Sequence, residues 1–423
     1  MNALRLWPFF LVALPIVQGC GEGTAARTRS DMSYLYSGGD RTLRLEARIH
    51  HESNERSVIY FKLHTADLLY KSTGGEGFHS LVELRYEAFP SWNSKELLDS
   101  ASTLIKDRAE GPDSDQELIG SIPMRRARDR DLVLRITAHD LYREQESSVL
   151  LEVKHGPPGG RQYFLPVAPT GGLPLFDDHQ PPGTEVLVRC EALAGQTLIA
   201  ERHLPAYRLP PPVFSANSPS GLANAPDSVF LVKVDADGLL TLNTGSAGFL
   251  HVRSDTSTME GYTLFTLSEA YPYVRQGTDM LAPLRYITSM QEYDNIRQAD
   301  NVRSQVEAFW LDAFGERDRA RQAIRTYYGR VENANRYFTT WIEGWRTDRG
   351  MVHIIFGPPN SIHRGTNSET WTYGEASSLM SLNFVFVRRE QPFTDNDLVL
   401  DRDPTFKGAW YRNVESWRNG RVY

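Results

Sequence analysis

Within a short stretch near its C-terminal end the chain gathers Asp348, Arg349, His353 and His363. An aspartate–histidine pair can share a proton and a neighbouring guanidinium can hold an anion, so this grouping could do general acid–base work on an anionic substrate. One expectation is therefore a hydrolase-like or carbohydrate-active enzyme using Asp348, Arg349 and His353. Local pattern argues the other way. His353 stands between Val352 and Ile354 in an apolar run read as a strand over 351–356, where a satisfied histidine is the commoner occupant. No Gly-x-Ser-x-Gly elbow, phosphate-cradling glycine loop or His-Glu-x-x-His zinc motif occurs in the sequence. We expect no catalytic residue, with these three as the candidates that would overturn that reading.

Metal chemistry fares little better. His50 and His51 are adjacent, so on a strand they face opposite sides and cannot share an ion. Asp177-Asp178-His179 lacks the regular spacing of a calcium loop and reads as a solvated turn. The two cysteines, Cys20 and Cys190, offer neither a multi-cysteine site nor a disulfide framework once Cys20 is modified. Cys190 is in phase with Val186 and Val188, as a small buried strand residue would be. No metal and no cofactor is expected.

Cys20 carries a different chemistry. Arg5 is the single charge ahead of an apolar run over 6–17, and Gly19 precedes the cysteine, which reads as an export signal over 1–19. The run is too short to span roughly 30 Å of hydrocarbon. The Gly19-Cys20 junction resembles a lipobox, in which the thiol takes a diacylglycerol before cleavage. Ordinary cleavage beside an incidental cysteine is the alternative. Acyl chains bind a bilayer by about 0.8 kcal/mol per buried CH₂, so a multiply acylated Cys20 would hold the protein on a membrane. Residues 20–33 then read as a lipidated cysteine and flexible tether. Gly21 rather than Asp after the cysteine favours the outer over the inner membrane. No later run approaches 18 apolar residues, so the remainder is aqueous.

The elements that would position these residues change texture along the chain. Loss of the signal leaves about 400 residues, more than one core accommodates, so two or three domains are expected. Leu43, Leu45, Ala47 and Ile49 alternate with Arg44, Glu46, Arg48 and His50, and Val82, Leu84, Tyr86 and Ala88 alternate likewise with Glu83, Arg85 and Glu87. A period of two marks half-buried strands. With further strands at 58–64, 118–124, 132–137 and 149–153, residues 34–155 read as a β-sandwich-like domain. Gly156-Pro157-Pro158-Gly159-Gly160 punctuates the chain. A second β-rich domain follows over 161–270, with Asp235-Ala236-Asp237-Gly238 as a hairpin signal and the proline-rich 204–225 as an extended crossing. From 278 apolar residues recur at helical spacing, giving helices at 279–292, 299–313 and 316–338. Strands are expected again at 351–356, 370–373 and 382–387. The fold class is thus mainly β with a C-terminal α+β module, helices packing on a small antiparallel sheet.

Gly344-Trp345-Arg346-Thr347-Asp348, with Arg349 and Gly350, leads into an apolar run closed by Gly357-Pro358-Pro359-Asn360. This resembles the GWxTD domain, a bacterial family named for the pentapeptide. The likeness takes in Phe309-Trp310, Tyr327-Tyr328, Asn333 to Phe338, Trp371-Thr372-Tyr373, Phe384-Val385-Phe386 and Trp410, over roughly 280–423. The resemblance implies an exported protein, often a lipoprotein with β-sandwich domains ahead of the module, and no agreed activity. Physically, the motif reads as a helix–sheet corner. Thr347-Asp348 suits a turn, Gly350 permits a bend and Gly357-Pro358-Pro359 stops a strand. Trp345 would pack against the last helix, and Asp348 and Arg349 would pair with Arg330 or Glu332.

The formal net charge of −7 argues against a nucleic-acid partner. Arg317, Arg319, Arg321 and Arg325 are interleaved with Glu316 and Asp318, the pattern of a solvated helix face. Trp92, Trp341, Trp345, Trp371, Trp410 and Trp417 could stack on a glycan or anchor a protein partner if displayed. The functional expectation is a lipid-anchored envelope protein, a non-catalytic adaptor or scaffold binding an envelope protein or a glycan.

Overall fold

The computed structural model describes residues 31–36, 43–72, 77–109, 116–127, 129–206, 208–217, 221–222, 225–375, 378 and 381–422. The expected export signal over 1–19, Cys20 and the expected tether up to residue 30 lie outside the described residues.

The first alternating block forms β1 (Glu46–His51), β2 (Arg56–His64), β3 (Lys71–Ser72), β4 (Phe78–Phe89), β5 (Asp99–Ala109), β6 (Glu117–Arg125), β7 (Leu132–Asp140) and β8 (Gln145–Val153). One sheet runs β1-β2-β6, and the other runs β3-β4-β7-β8 with β5 added on β4. Their inward residues, among them Ile59, Phe61, Leu84 and Leu134, share one core. The alternation places these residues on one face of each strand. β5 is not among the expected strands. Its sequence is mostly polar and most of it is exposed, so no apolar alternation marks it.

The second block holds β9 (Leu165–Val167), β10 (His179–Gln180), β11 (Glu185–Arg189), β12 (Thr197–His203), β13 (Ser228–Lys233), β14 (Leu239–Asn243), β15 (Phe249–Arg253) and β16 (Tyr262–Thr266). Sheets β14-β11-β9 and β10-β16-β15-β12-β13 enclose a core containing Phe164, Val188, Cys190, Leu250 and Tyr262. Burial pushes the Cys190 thiol up to about 12, with Glu191 and Asp235 adding to it, so the group stays an inert thiol. The hairpin expected at 235–238 is a corner instead. β13 pairs with β12 and β14 with β11, so the turn crosses between sheets. Segment 204–225 leaves β12 and returns to its neighbour β13. On the way it packs Val213, fully buried, into the C-terminal core.

The C-terminal region comprises α1 (Gly277–Leu284), α2 (Met290–Arg297), α3 (Val302–Phe314), α4 (Arg317–Phe338), α5 (Asp348–Phe356), β17 (Ser361–Arg364), β18 (Ser368–Tyr373), β19 (Leu382–Arg388), β20 (Leu398–Leu400) and α6 (Phe406–Arg418). The helix expected over 279–292 is two, because Ser289 and Glu292 form a capping box that starts α2. The strand expected over 351–356 is the body of α5. Thr347 caps it, and Gly357 at φ +85° ends it. Every residue from Asp348 to Ile355 is buried, so the run has no wet face whose period could separate helix from strand. Strands β17-β18-β19-β20 form the antiparallel sheet beside it.

Residues 31–36 close this core from the other end of the chain. Met32 N–H donates to Ile362 O at 2.9 Å, Asp31 Oδ1 accepts Ile362 N–H at 3.0 Å, and Tyr36 O–H donates to Glu369 at 3.0 Å. Residues 31–33 of the expected tether are therefore docked.

Candidate functional site

The motif stands where α4, the 3-10 turn Gly344–Arg346 and α5 meet. Gly344 lies so close to α4 that an added Cβ would sit 1.9 Å from Ala334 O, and one on Gly350 would sit 2.0 Å from Gly344 O. Asn335 fixes the turn, its Oδ1 accepting Trp345 N–H at 3.1 Å and its Nδ2 donating to Pro272 O at 3.0 Å. Tyr271 O–H donates to Asn335 O at 3.0 Å and accepts Gly344 N–H at 3.2 Å. Trp345 is buried, its carbonyl accepting Tyr286 O–H at 2.9 Å. Thr347 Oγ1 accepts Gly350 N–H at 3.0 Å and donates to Gly344 O at 2.8 Å, satisfying one of the orphan donors at the start of α5.

Asp348 occupies the first turn of α5, where a carboxylate suits the helix dipole. Its partner is Arg402, at 2.5 and 2.9 Å, together with Leu400 N–H at 2.8 Å. Both side chains of the pair are nearly inaccessible, at 3% for Arg402 and 2% for Asp348. Arg402 also donates to Pro211 O at 3.0 Å, tying the motif to the 204–225 excursion. Arg349 donates to Asn396 O at 2.7 Å and Oδ1 at 2.5 Å, lies over the Phe338 ring and stands 3.8 Å from Glu369. Fully buried Glu369 accepts Trp371 Nε1–H at 2.6 Å as well as Tyr36 O–H. The expected pairing with Arg330 or Glu332 does not form. Arg330 instead donates to Ile354 O at the end of α5, and Glu332 accepts Val274 N–H. The start of the helix at Asp348 turns its carboxylate towards β20.

His353 is buried between Phe338 and Trp371, and neither ring nitrogen has a hydrogen-bond partner. Desolvation, with Arg330 nearby, pushes its pKa down to about 3. The neutral ring is therefore favoured on folding. The unfolded chain takes up the proton near pH 6.5, so His353 contributes full stability above that value and loses it as pH falls towards 3. Between pH 7 and 5 the loss is about 2 kcal/mol. Urea midpoints for wild type and His353→Phe should show a shallower pH dependence in the variant. Parallel curves would mean that the native ring is already protonated or satisfied.

The four candidate polar residues are thus dispersed. His363 is exposed on β17, Asp348 and Arg349 each have internal partners, and His353 is sealed among rings. Gly357 lies against the Arg330 guanidinium, with Pro359 buried and Pro358 exposed. One cleft of about 680 Å³ opens between the 204–225 excursion and the motif, lined by His203, Arg208, Arg346, Thr347, Asp348 and Asp397 among others. Arg349 and His353 do not line it. Of the six tryptophans singled out, Trp345, Trp371, Trp410 and Trp417 are buried, and Trp92 and Trp341 are half-buried. The expected solvated face is present, with Arg317, Arg319, Arg321 and Arg325 all exposed. Among the described residues, no group of three or more His, Cys, Asp or Glu could hold a metal ion, and no helix is long and apolar enough to cross a membrane.

The family model described as the GWxTD domain matches residues 248–419. The chain contains a GWxTD domain. The match begins at the edge of β15, so it reaches further upstream than the resemblance read from about residue 280, and it ends just past α6. The GWxTD residues are those that build the corner: Gly344 for approach to α4, Trp345 for packing, Thr347 for the cap and Asp348 for the pair with Arg402. No curated protein matches the chain. Arg402, Asn396, Tyr271 and Glu369 complete the GWxTD corner but carry no local signal, because each is recruited from a distant segment. Asn335, by contrast, lies ten positions before Trp345, within the run of the resemblance from Asn333 to Phe338. The capping pattern Thr347-Asp348 with Gly357 at the far end would have identified α5.

Proposed function

We propose that this protein is an exported, lipid-anchored envelope protein that acts by binding, as an adaptor or scaffold. The observation that carries the binding part is the internal use of the motif's polar groups. Asp348 and Arg349 bond to β20 and to the segment before it, while His353 is held neutral and out of reach. A general acid or base must reach a substrate proton in an open site. Asp348 borders the cleft but is held by Arg402, and Arg349 and His353 do not line it. The cleft between 204–225 and the motif is the candidate ligand surface, for an envelope protein or a glycan.

The anchoring part rests on the 1–19 signal pattern and Cys20, with Gly21 favouring the outer membrane. Cys20→Ala should move the protein from the membrane to the soluble fraction of lysed cells, measured by fractionation and blotting. A variant that stays with the membrane would refute lipid anchoring through Cys20. For the binding reading, the protein tagged at its C-terminus is recovered from gently solubilised envelopes. A stoichiometric envelope component, lost when Arg208→Glu alters the cleft, supports it. Repeated recovery of the protein alone, with no glycan retained on an array, counts against it.

A further inference from the structure

β13 ends the five-stranded sheet of the second β block, and among the described residues β12 is its only strand neighbour. It reads Ser228-Val229-Phe230-Leu231-Val232-Lys233, and Val229, Phe230 and Leu231 are 57%, 40% and 70% exposed. An exposed edge strand offers a row of unpaired N–H and C=O groups, and proteins blunt such edges with charge. β5 follows that practice with Asp99, Lys106, Asp107 and Arg108. β13 is apolar through its four central residues.

Backbone alternation fixes which groups are on offer. Val234 N–H donates to Gln196 O, and β12 and β13 pair in register from Thr197↔Lys233 to Arg202↔Ser228. Antiparallel strands alternate bonded and non-bonded pairs. Ser228, Phe230 and Val232 therefore face β12 with their backbone groups, and Val229, Leu231 and Lys233 turn theirs to the open side.

We propose that this edge pairs antiparallel with β13 of a second copy, on a two-fold axis through Phe230, joining two five-stranded sheets into one. The outward groups belong to odd-numbered residues, so an axis between Phe230 and Leu231 is excluded. On a Phe230 axis, Val229 bonds with Leu231 of the second copy, and the two Phe230 rings meet at a non-bonded position, where side chains approach most closely. The same register sets Asp227, the residue just before β13, opposite Lys233 of the second copy at both ends. Both residues are exposed, although Asp227 also donates its N–H to Arg202 O and accepts Leu204 N–H on Oδ2. An axis through Leu231 would instead set Lys233 against Val229 and bring Asp227 towards Asp235. Charge complementarity selects the Phe230 axis. This inference does not depend on lipid anchoring or on the cleft.

The test uses the full chain in detergent. Sedimentation across a dilution series should show a dimer that dissociates, and Leu231→Lys should give a monomer with an unchanged circular dichroism spectrum and thermal midpoint. Under mild oxidation Phe230→Cys should form a covalent dimer on a non-reducing gel, whereas Val229→Cys and Leu231→Cys should match the parent chain. A monomer at every concentration overturns the proposal, as does a dimer that persists in Leu231→Lys. Cross-linking through Leu231→Cys alone would overturn the register. A Phe230→Cys adduct to a different envelope polypeptide would show that a foreign strand occupies the edge, and would overturn self-pairing.

Discussion

Gly350→Ala will destabilise the protein by about 4 kcal/mol or more, enough for most of it to appear in inclusion bodies. Helix propensity alone predicts the reverse, since alanine within a helix is favoured over glycine by about 1 kcal/mol. The clash decides the sign. A Cβ at Gly350 would meet the Gly344 carbonyl oxygen at 2.0 Å and the Trp345 Cα at 3.0 Å, and backbone on both sides leaves no flexible side chain to yield. Gly329 provides the internal control. It lies within α4, and a Cβ added there would meet nothing within 4 Å, so Gly329→Ala should stabilise by roughly 0.5–1 kcal/mol. Urea midpoints of the two variants should move in opposite directions. A soluble Gly350→Ala with a midpoint equal to wild type would refute the close packing of turn against helix.

Asp348→Ala is expected to cost about 3–5 kcal/mol, because it leaves the Arg402 guanidinium buried without its countercharge. The Leu400 N–H also loses its acceptor. Adding Arg402→Met should recover part of the loss, since an apolar replacement of both partners removes the uncompensated charge. The double-mutant cycle should then show coupling of about 1–3 kcal/mol. Additive single effects would mean that the two side chains do not form the pair. An Asp348→Ala protein of normal stability that had lost its cellular function would make Asp348 part of a site, and the corner account would fall.

Legibility in the sequence follows wet faces. β2 and β4 each leave one side half-buried or exposed, so their alternation survives in the letters. β5 has too little apolar content to betray a strand, and α5 is buried all round, which erases periodicity. α6 buries only Trp410 and Trp417, a stripe too sparse to mark a helix. The corner character of GWxTD is legible because glycine, threonine and aspartate act locally, through close approach, capping and the helix dipole. Its partners are not, because Arg402 reaches Asp348 from 54 positions downstream and Tyr271 reaches Gly344 from 73 positions upstream.

The docking of residues 31–36 has a consequence in time. A ribosome adds roughly 5–20 residues per second, so the 331 positions between Asp31 and Ile362 take on the order of 20 to 70 s to synthesise. Throughout that interval Met32, Leu35 and Tyr36 are in being but the surface that buries them is not. The docked segment must therefore wait for β17, made long after it, and the C-terminal core can close around it only once that strand exists.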